Sequence, residues 1–254
     1  MEYFVDRKSV VRKIWGKSDT ILFVFAGASA EFALNKAVDW LYFTGRLPSD
    51  PLGRLFSTVM YARKIVFSEK NEALKAIDQI TGIHKAVEKN RGDKIPDWAY
   101  RDVLFMLIYY SVASFELLER KLTPGEKDEL FDVFFRMGER MQLTGLPGNY
   151  TEWLKMRQEH LQQDLVKSDF TIDLLKQYKK HLGAPRYILL KESQKLVCPQ
   201  TVIQLLNFGK ITFLGPLLFA YKLSRKVKLD SLLKSWILPK DYQQQIKSLD
   251  VIYS

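Results

Sequence analysis

Three apolar runs constrain the fold of this chain more than any other feature. They extend over Thr20–Ala30, Val103–Phe115 and Ile211–Tyr221, and charges close each one: Asp19 and Glu31, Asp102 and Glu116, Lys210 and Lys222. A membrane-spanning helix needs about 20 apolar residues, and each run falls well short of that. They read as buried core helices. The segments between them carry helix starts, helix stops and loop residues but no strand hairpin, internal repeat or low-complexity tract, so the expected class is all-α, a single multi-helix domain. A chain of 254 residues with 47% apolar residues has ample material for one large core.

In chain order, a first helix is expected from about Ser9 to Trp15. A second runs from Thr20 to Asn35, with continuation to Phe43, and carries Glu31, Asn35 and Asp39 as a polar stripe at i, i+4 and i+8. Buried carboxylates must be paired, so Glu31 and Asp39 lie either at the surface or against polar partners such as Arg54. TGRLPSDP is a loop. Asp50 then caps a helix whose first position is Pro51, which gives up a donor that would be unpaired anyway. In it Arg54, Ser57, Thr58 and Tyr61 recur on one stripe, and Leu55, Val59, Ala62 and Val66 on another.

The next helix starts near Ser68 and carries His84 after Ile77, Ile80 and Ile83. Asp97 caps a long apolar helix ending near Leu122. Thr123, Pro124 and Glu126 form a capping box for a helix reaching about Leu143, Asn149 or Thr151 caps one running to Leu165, and another runs from Thr171 to Gly183. Beyond that, prolines and glycines divide the chain into short helical pieces. Residues 1–175 are read as a helical core of catalytic type and 176–254 as a basic segment packed on the same domain.

Charge is unevenly placed. From Lys176 onward there are 14 Lys or Arg and 4 Asp or Glu, which accounts for the whole net charge of +10. The apolar residues Phe213, Leu214, Leu217, Leu218, Phe219 and Tyr221 stand just before Lys222, Arg225, Lys226 and Lys228, a combination suited to an anionic membrane surface. No nucleic-acid motif accompanies the charge. One cysteine, Cys198, excludes an internal disulfide framework and points to a reducing, cytoplasmic setting, with peripheral membrane contact through the basic third; the charged N-terminus does not read as a secretory signal. P-loop, dinucleotide, HExxH and GxSxG motifs are all missing.

Of the three histidines, His181 sits in a last helical turn, where it complements the helix dipole, and His160 lies among polar residues and is expected to be exposed. His84 follows an apolar stripe. It is either a satisfied core residue or an axial ligand of haem iron.

DPLGRLFST at 50–58 with the following ARKIVF, IHKAV at 83–87, the helix before LTPGEKDE and the YTEWLKMRQEHL helix resemble the MpaB and rubber-oxygenase (latex-clearing protein) family; ILPKDYQQQI at 237–246 is similar to that family's closing segment. The resemblance implies an all-helical fold holding haem b and dioxygen chemistry on an unsaturated hydrophobic substrate, isoprenoid or fatty acyl. It makes His84 the proximal haem ligand and Arg54 and Thr58 the distal polar residues. Glu31 or Asp39 would act as base, provided burial raises its pKa, and Phe105 and Tyr109 would line an apolar tunnel. Ser57 stands where latex-clearing proteins carry a lysine. The family's His-Pro and His-x-Thr pairs are missing from GASA (27–30) and the YYSVAS region (109–114). Those departures support an alternative, a non-catalytic lipid- or haem-binding protein at membrane surfaces. A third possibility is a helical scaffold without a ligand.

Overall fold

The computed structural model describes residues 2–45, 49–209 and 211–226. They form an all-α fold. In chain order the helices are α1 (Val10–Trp15), α2 (Ser18–Leu34), α3 (Val38–Phe43), α4 (Pro51–Phe67), α5 (Lys70–Arg91), α6 (Asp97–Leu118), α7 (Pro124–Arg140), α8 (Tyr150–Gln163), α9 (Asp169–Val197), α10 (Gln200–Leu205) and α11 (Leu214–Lys226).

Helix α2 is the axis of the bundle. Ile21, Val24, Phe25, Ala26, Ala30, Ala33 and Leu34 are buried on successive sides of it, and α6 and α9 make its most extensive contacts. A rod that is apolar all round has no solvent face to keep. Gly27 allows the closest approach: a Cβ there would stand 2.1 Å from the Tyr110 ring, so only glycine admits α6 at this distance. Trp15, Trp153, Tyr110 and Tyr178 are almost wholly enclosed. Burying an aromatic of this kind removes roughly 150–250 Å² from water, about 4–6 kcal/mol at ~25 cal/mol/Å², an upper figure that conformational entropy offsets.

The local signals act largely as expected. The Ser9 hydroxyl caps α1, the Asp50 carboxylate accepts from Gly53 N at 2.8 Å, and Thr123 with Glu126 closes a capping box. Several boundaries differ, as where α9 starts at Asp169 behind a Ser168 cap and not at Thr171. Helix α2 does not continue to Phe43, because the Asn35 side chain accepts from Ala37 N at 2.8 Å while Leu34 O is taken by Val166 N at 2.7 Å. Pro96, not Asp97, holds the N-cap position of α6, which ends at Leu118. Gly183 stops the first stretch of α9 as expected: at φ 72° and ψ 164° its backbone is not helical, and a second helical stretch, opening around Pro185, carries the span on to Val197, so α9 crosses residues 175 and 176.

Among the described residues no helix is long and apolar enough to cross a membrane. The run Ile211–Tyr221, expected as a buried core helix, is not one: α11 buries Leu214, Leu218 and Tyr221 only partly and leaves Leu217 and Phe219 exposed, with Ile211 and Phe213 exposed just before it. The side chains of Arg225 and Lys226, the basic Lys228 and the 237–246 segment lie outside the described residues.

Candidate functional site

The Asp50 cap and Pro51 fix where α4 begins, and with it which residues share a face. Val59, Ala62, Ile65 and Val66 go into the core, and the stripe of Arg54, Ser57, Thr58 and Tyr61 is left half-buried. Within that stripe the Ser57 and Thr58 hydroxyls donate to Arg54 O at 2.8 and 3.2 Å, and an Arg54 Nη1–H reaches Ser57 Oγ at 3.4 Å. Both hydroxyl protons are therefore engaged by the helix itself.

Helix α5 packs on α4, with Ala73, Ala76 and Ile77 buried. His84, two turns beyond Ile77, shares that face, whereas Ile83 is 47% exposed. The Tyr100 ring of α6 stands edge-on to the imidazole at 5.0 Å between centroids. Its hydroxyl donates at 3.1 Å to Glu88 Oε1, one turn beyond His84, an oxygen that also accepts Ile95 N. Burial first, and the Arg54 charge second, push the His84 pKa down to about 4, so the ring is neutral at physiological pH. Its Nδ1 is buried and has no hydrogen-bond partner among the described residues. A neutral imidazole with an orphaned nitrogen, beside a guanidinium, fits the donor chemistry of an axial haem ligand.

Glu31 and Asp39 are separated by the break at Asn35 and lead to different partners, neither of them Arg54. Asp39, half-buried on α3, receives Arg91 Nη2–H at 2.7 Å, and the same guanidinium lies 4.0 Å over the Trp40 ring. Glu31 is completely buried and holds the densest polar cluster among the described residues. Arg157 donates to both of its oxygens at 2.5 Å, Tyr110 OH reaches it at 2.8 Å, and His160 Nε2 at 2.9 Å. Burial alone would raise the Glu31 pKa; the Arg157 charge and the hydrogen bonds from His160 and Arg157 overcome it and hold the group at about 2. The raised pKa on which a basic role for Glu31 depends is thus not met.

His160 is buried, contrary to the expectation of exposure. Its Nδ1 faces Asp102 Oδ2 at 2.8 Å and Asp164 Oδ2 at 3.4 Å. Burial opposes its protonation, but the hydrogen bonds to Asp102 and Glu31 prevail and raise its pKa to about 9. Asn35 Nδ2–H donates to Asp102 Oδ2 at 2.9 Å. The signal for this cluster was present in the spacing: Trp153, Arg157, His160 and Asp164 follow at i, i+4, i+7 and i+11 on one face of α8, and Trp153 marks that face as the buried one. The proposed tunnel residues take other places. Phe105 packs edge-on to Trp153, and Tyr109 lies against Tyr110 with the Arg157 guanidinium 4.9 Å over its ring.

Neither the curated proteins nor the solved structures give a significant match. Residues 14–220 match the family described as the ER-bound oxygenase mpaB/B'/rubber oxygenase catalytic domain. The match takes in α2 to α10 entirely and most of α11, including the Arg54 stripe, His84 and the Glu31 cluster, and the chain therefore belongs to the mpaB/rubber oxygenase catalytic-domain family.

Proposed function

We propose that this oxygenase-family chain is a haem b-dependent oxygenase acting on an unsaturated hydrophobic small molecule, isoprenoid or fatty acyl. The orphaned, buried Nδ1 of the neutral His84 is the observation that carries this reading. His84 would hold the iron, and haem when bound would supply the dioxygen chemistry. Arg54 keeps a positive charge toward the imidazole and so disfavours a competing proton there. Thr58 presents oxygen lone pairs on the same stripe, its proton being held by Arg54 O. Tyr100, tied to Glu88, limits rotation of the His84 ring.

Glu31 acts as an ionised pillar between α2 and α8. Asp39 is then the carboxylate left for accepting an allylic proton, with Arg91 orienting it. The exposed Ile211, Phe213, Leu217 and Phe219, with no acidic residue from 207 to 226, support peripheral contact with an anionic membrane from which an apolar substrate would be drawn.

The test is the ultraviolet-visible spectrum of protein produced with haem supply, beside His84→Ala, followed by oxygen uptake with unsaturated lipids. A stoichiometric Soret band lost in the variant is expected. A colourless wild-type protein overturns the reading.

A further inference from the structure

We infer that His160 Nδ1, Asp102 Oδ2 and Asp164 Oδ2 form a binding site for a single zinc-type divalent cation, clamped between α6 and the end of α8, apart from the His84 site. The three atoms lie within 4.8 Å of one another. Zinc bonded at ~2.0–2.2 Å in tetrahedral geometry places its ligands roughly 3.3 Å apart. His160 Nδ1 stands 2.8 Å from the Asp102 oxygen and 3.4 Å from the Asp164 oxygen, both near that spacing, and the two carboxylate oxygens lie within 4.8 Å of each other.

The surroundings fit this role. Metal-bound histidines usually donate their other ring N–H to a carboxylate, which fixes the tautomer and the ring plane. Here His160 Nε2 is 2.9 Å from Glu31 Oε1, and Arg157 grips that carboxylate through both of its oxygens. With Nε2 protonated toward Glu31, the Nδ1 lone pair points at two carboxylates, an arrangement that requires a cation between them, whether a proton or a metal. Asn35 Nδ2–H steadies Asp102. Main-chain bonds from Lys36 N to Asp164 O and from Val166 N to Leu34 O pin the end of α8 to the end of α2, which fixes Asp164 before any ion arrives.

Ligand chemistry selects the ion. One imidazole nitrogen and two carboxylates suit zinc better than the all-oxygen preference of calcium or magnesium. Asp164, whose side chain is 25% exposed, provides the access to solvent and leaves room for a water as fourth ligand.

The test is calorimetric titration of the EDTA-dialysed protein with zinc chloride, with elemental analysis of the product. One zinc per chain is expected, with a Kd at or below about 10 μM. Asp164→Asn, at the solvent rim where folding is not at stake, should weaken binding at least ~10-fold and leave the Soret band unchanged. His84→Ala should remove the Soret band and leave zinc affinity unchanged, so the two sites fail independently. Absence of saturable zinc binding overturns the inference. So does equal affinity in wild type and Asp164→Asn, or loss of zinc in His84→Ala.

Discussion

At Glu31 the chain places a carboxylate with no exposure to solvent and gives it four hydrogen bonds, two of them from one guanidinium. Removing one partner leaves the other charge buried without compensation, a loss that typically costs 3–5 kcal/mol, roughly the stability of a small domain. Arg157→Met should therefore lower the midpoint of urea unfolding far more than Arg140→Met, whose guanidinium holds Asp78 at the surface, where solvent screens the pair. Equal midpoints for the two variants would mean that the Glu31 cluster does not hold the bundle together. Gly27 makes a second test at this scale. A methyl group there would lie 2.1 Å from the Tyr110 ring, so Gly27→Ala should destabilise despite the better helix propensity of alanine, by about 1–3 kcal/mol. A stabilised Gly27→Ala variant would contradict the close approach of α2 and α6.

Helix ends are where the sequence was most readable, because a cap is a local agreement between residues three apart. Thr123 and Glu126 show it: the hydroxyl receives Glu126 N at 3.3 Å and the carboxylate receives Thr123 N at 2.9 Å, with Pro124 between them. Thr123→Ala should cost about 1 kcal/mol in equilibrium unfolding. The hydrogen bond from Arg120, then that from Thr123 N, holds the Glu126 pKa down at about 2, below its ordinary 4.5. A carboxylate lowered on folding stabilises above its ordinary pKa and loses that contribution as pH falls through the folded value. The penalty of Glu126→Gln, which removes the charge, should accordingly be largest near neutral pH and shrink between about pH 4.5 and 2. A Glu126→Gln penalty independent of pH would mean that folding does not lower the pKa of this carboxyl. Where a boundary depended on distant chain, local reading fell short. Asn35 ends α2 in concert with Val166, a partner far along the chain, whereas the stop at Gly183 is local and was readable.

Across the whole molecule the all-α class and the buried, charge-bounded α2 were legible in apolar run length, but run length did not settle burial, since the equally long Ile211–Tyr221 run is largely exposed. The Arg54 stripe was legible too, since period and cap fix it together. His160 was legible only beyond its polar neighbours, in the spacing from Trp153 two turns earlier, and its pairing with Asp102 lies on another helix. The pairing of Glu31 with Arg157 spans 126 positions and leaves no local trace. The same contrast between a packed axis and a lightly attached rim predicts how the molecule opens. Helix α2 is enclosed by α6 and α9, whereas α11 keeps Leu217 and Phe219 exposed, with Phe213 exposed just before it, and its ties to the rest include Tyr221 OH to Asp19 and, at its start, Phe213 N to Glu192. Amides buried at an enclosed axis exchange only through global unfolding, and those of a marginal helix through local opening of far lower free energy. Hydrogen exchange followed by mass spectrometry should find peptides of α2 and the middle of α6 protected at the global limit, and those of α11 exchanging orders of magnitude faster. Added urea should accelerate the first set steeply and the second hardly at all, because local opening exposes little surface. If α11 instead exchanges with the same urea dependence as α2, the two fold as one cooperative unit, and the exposed face of α11 belongs to the core's own stability rather than to a surface held ready for an outside partner.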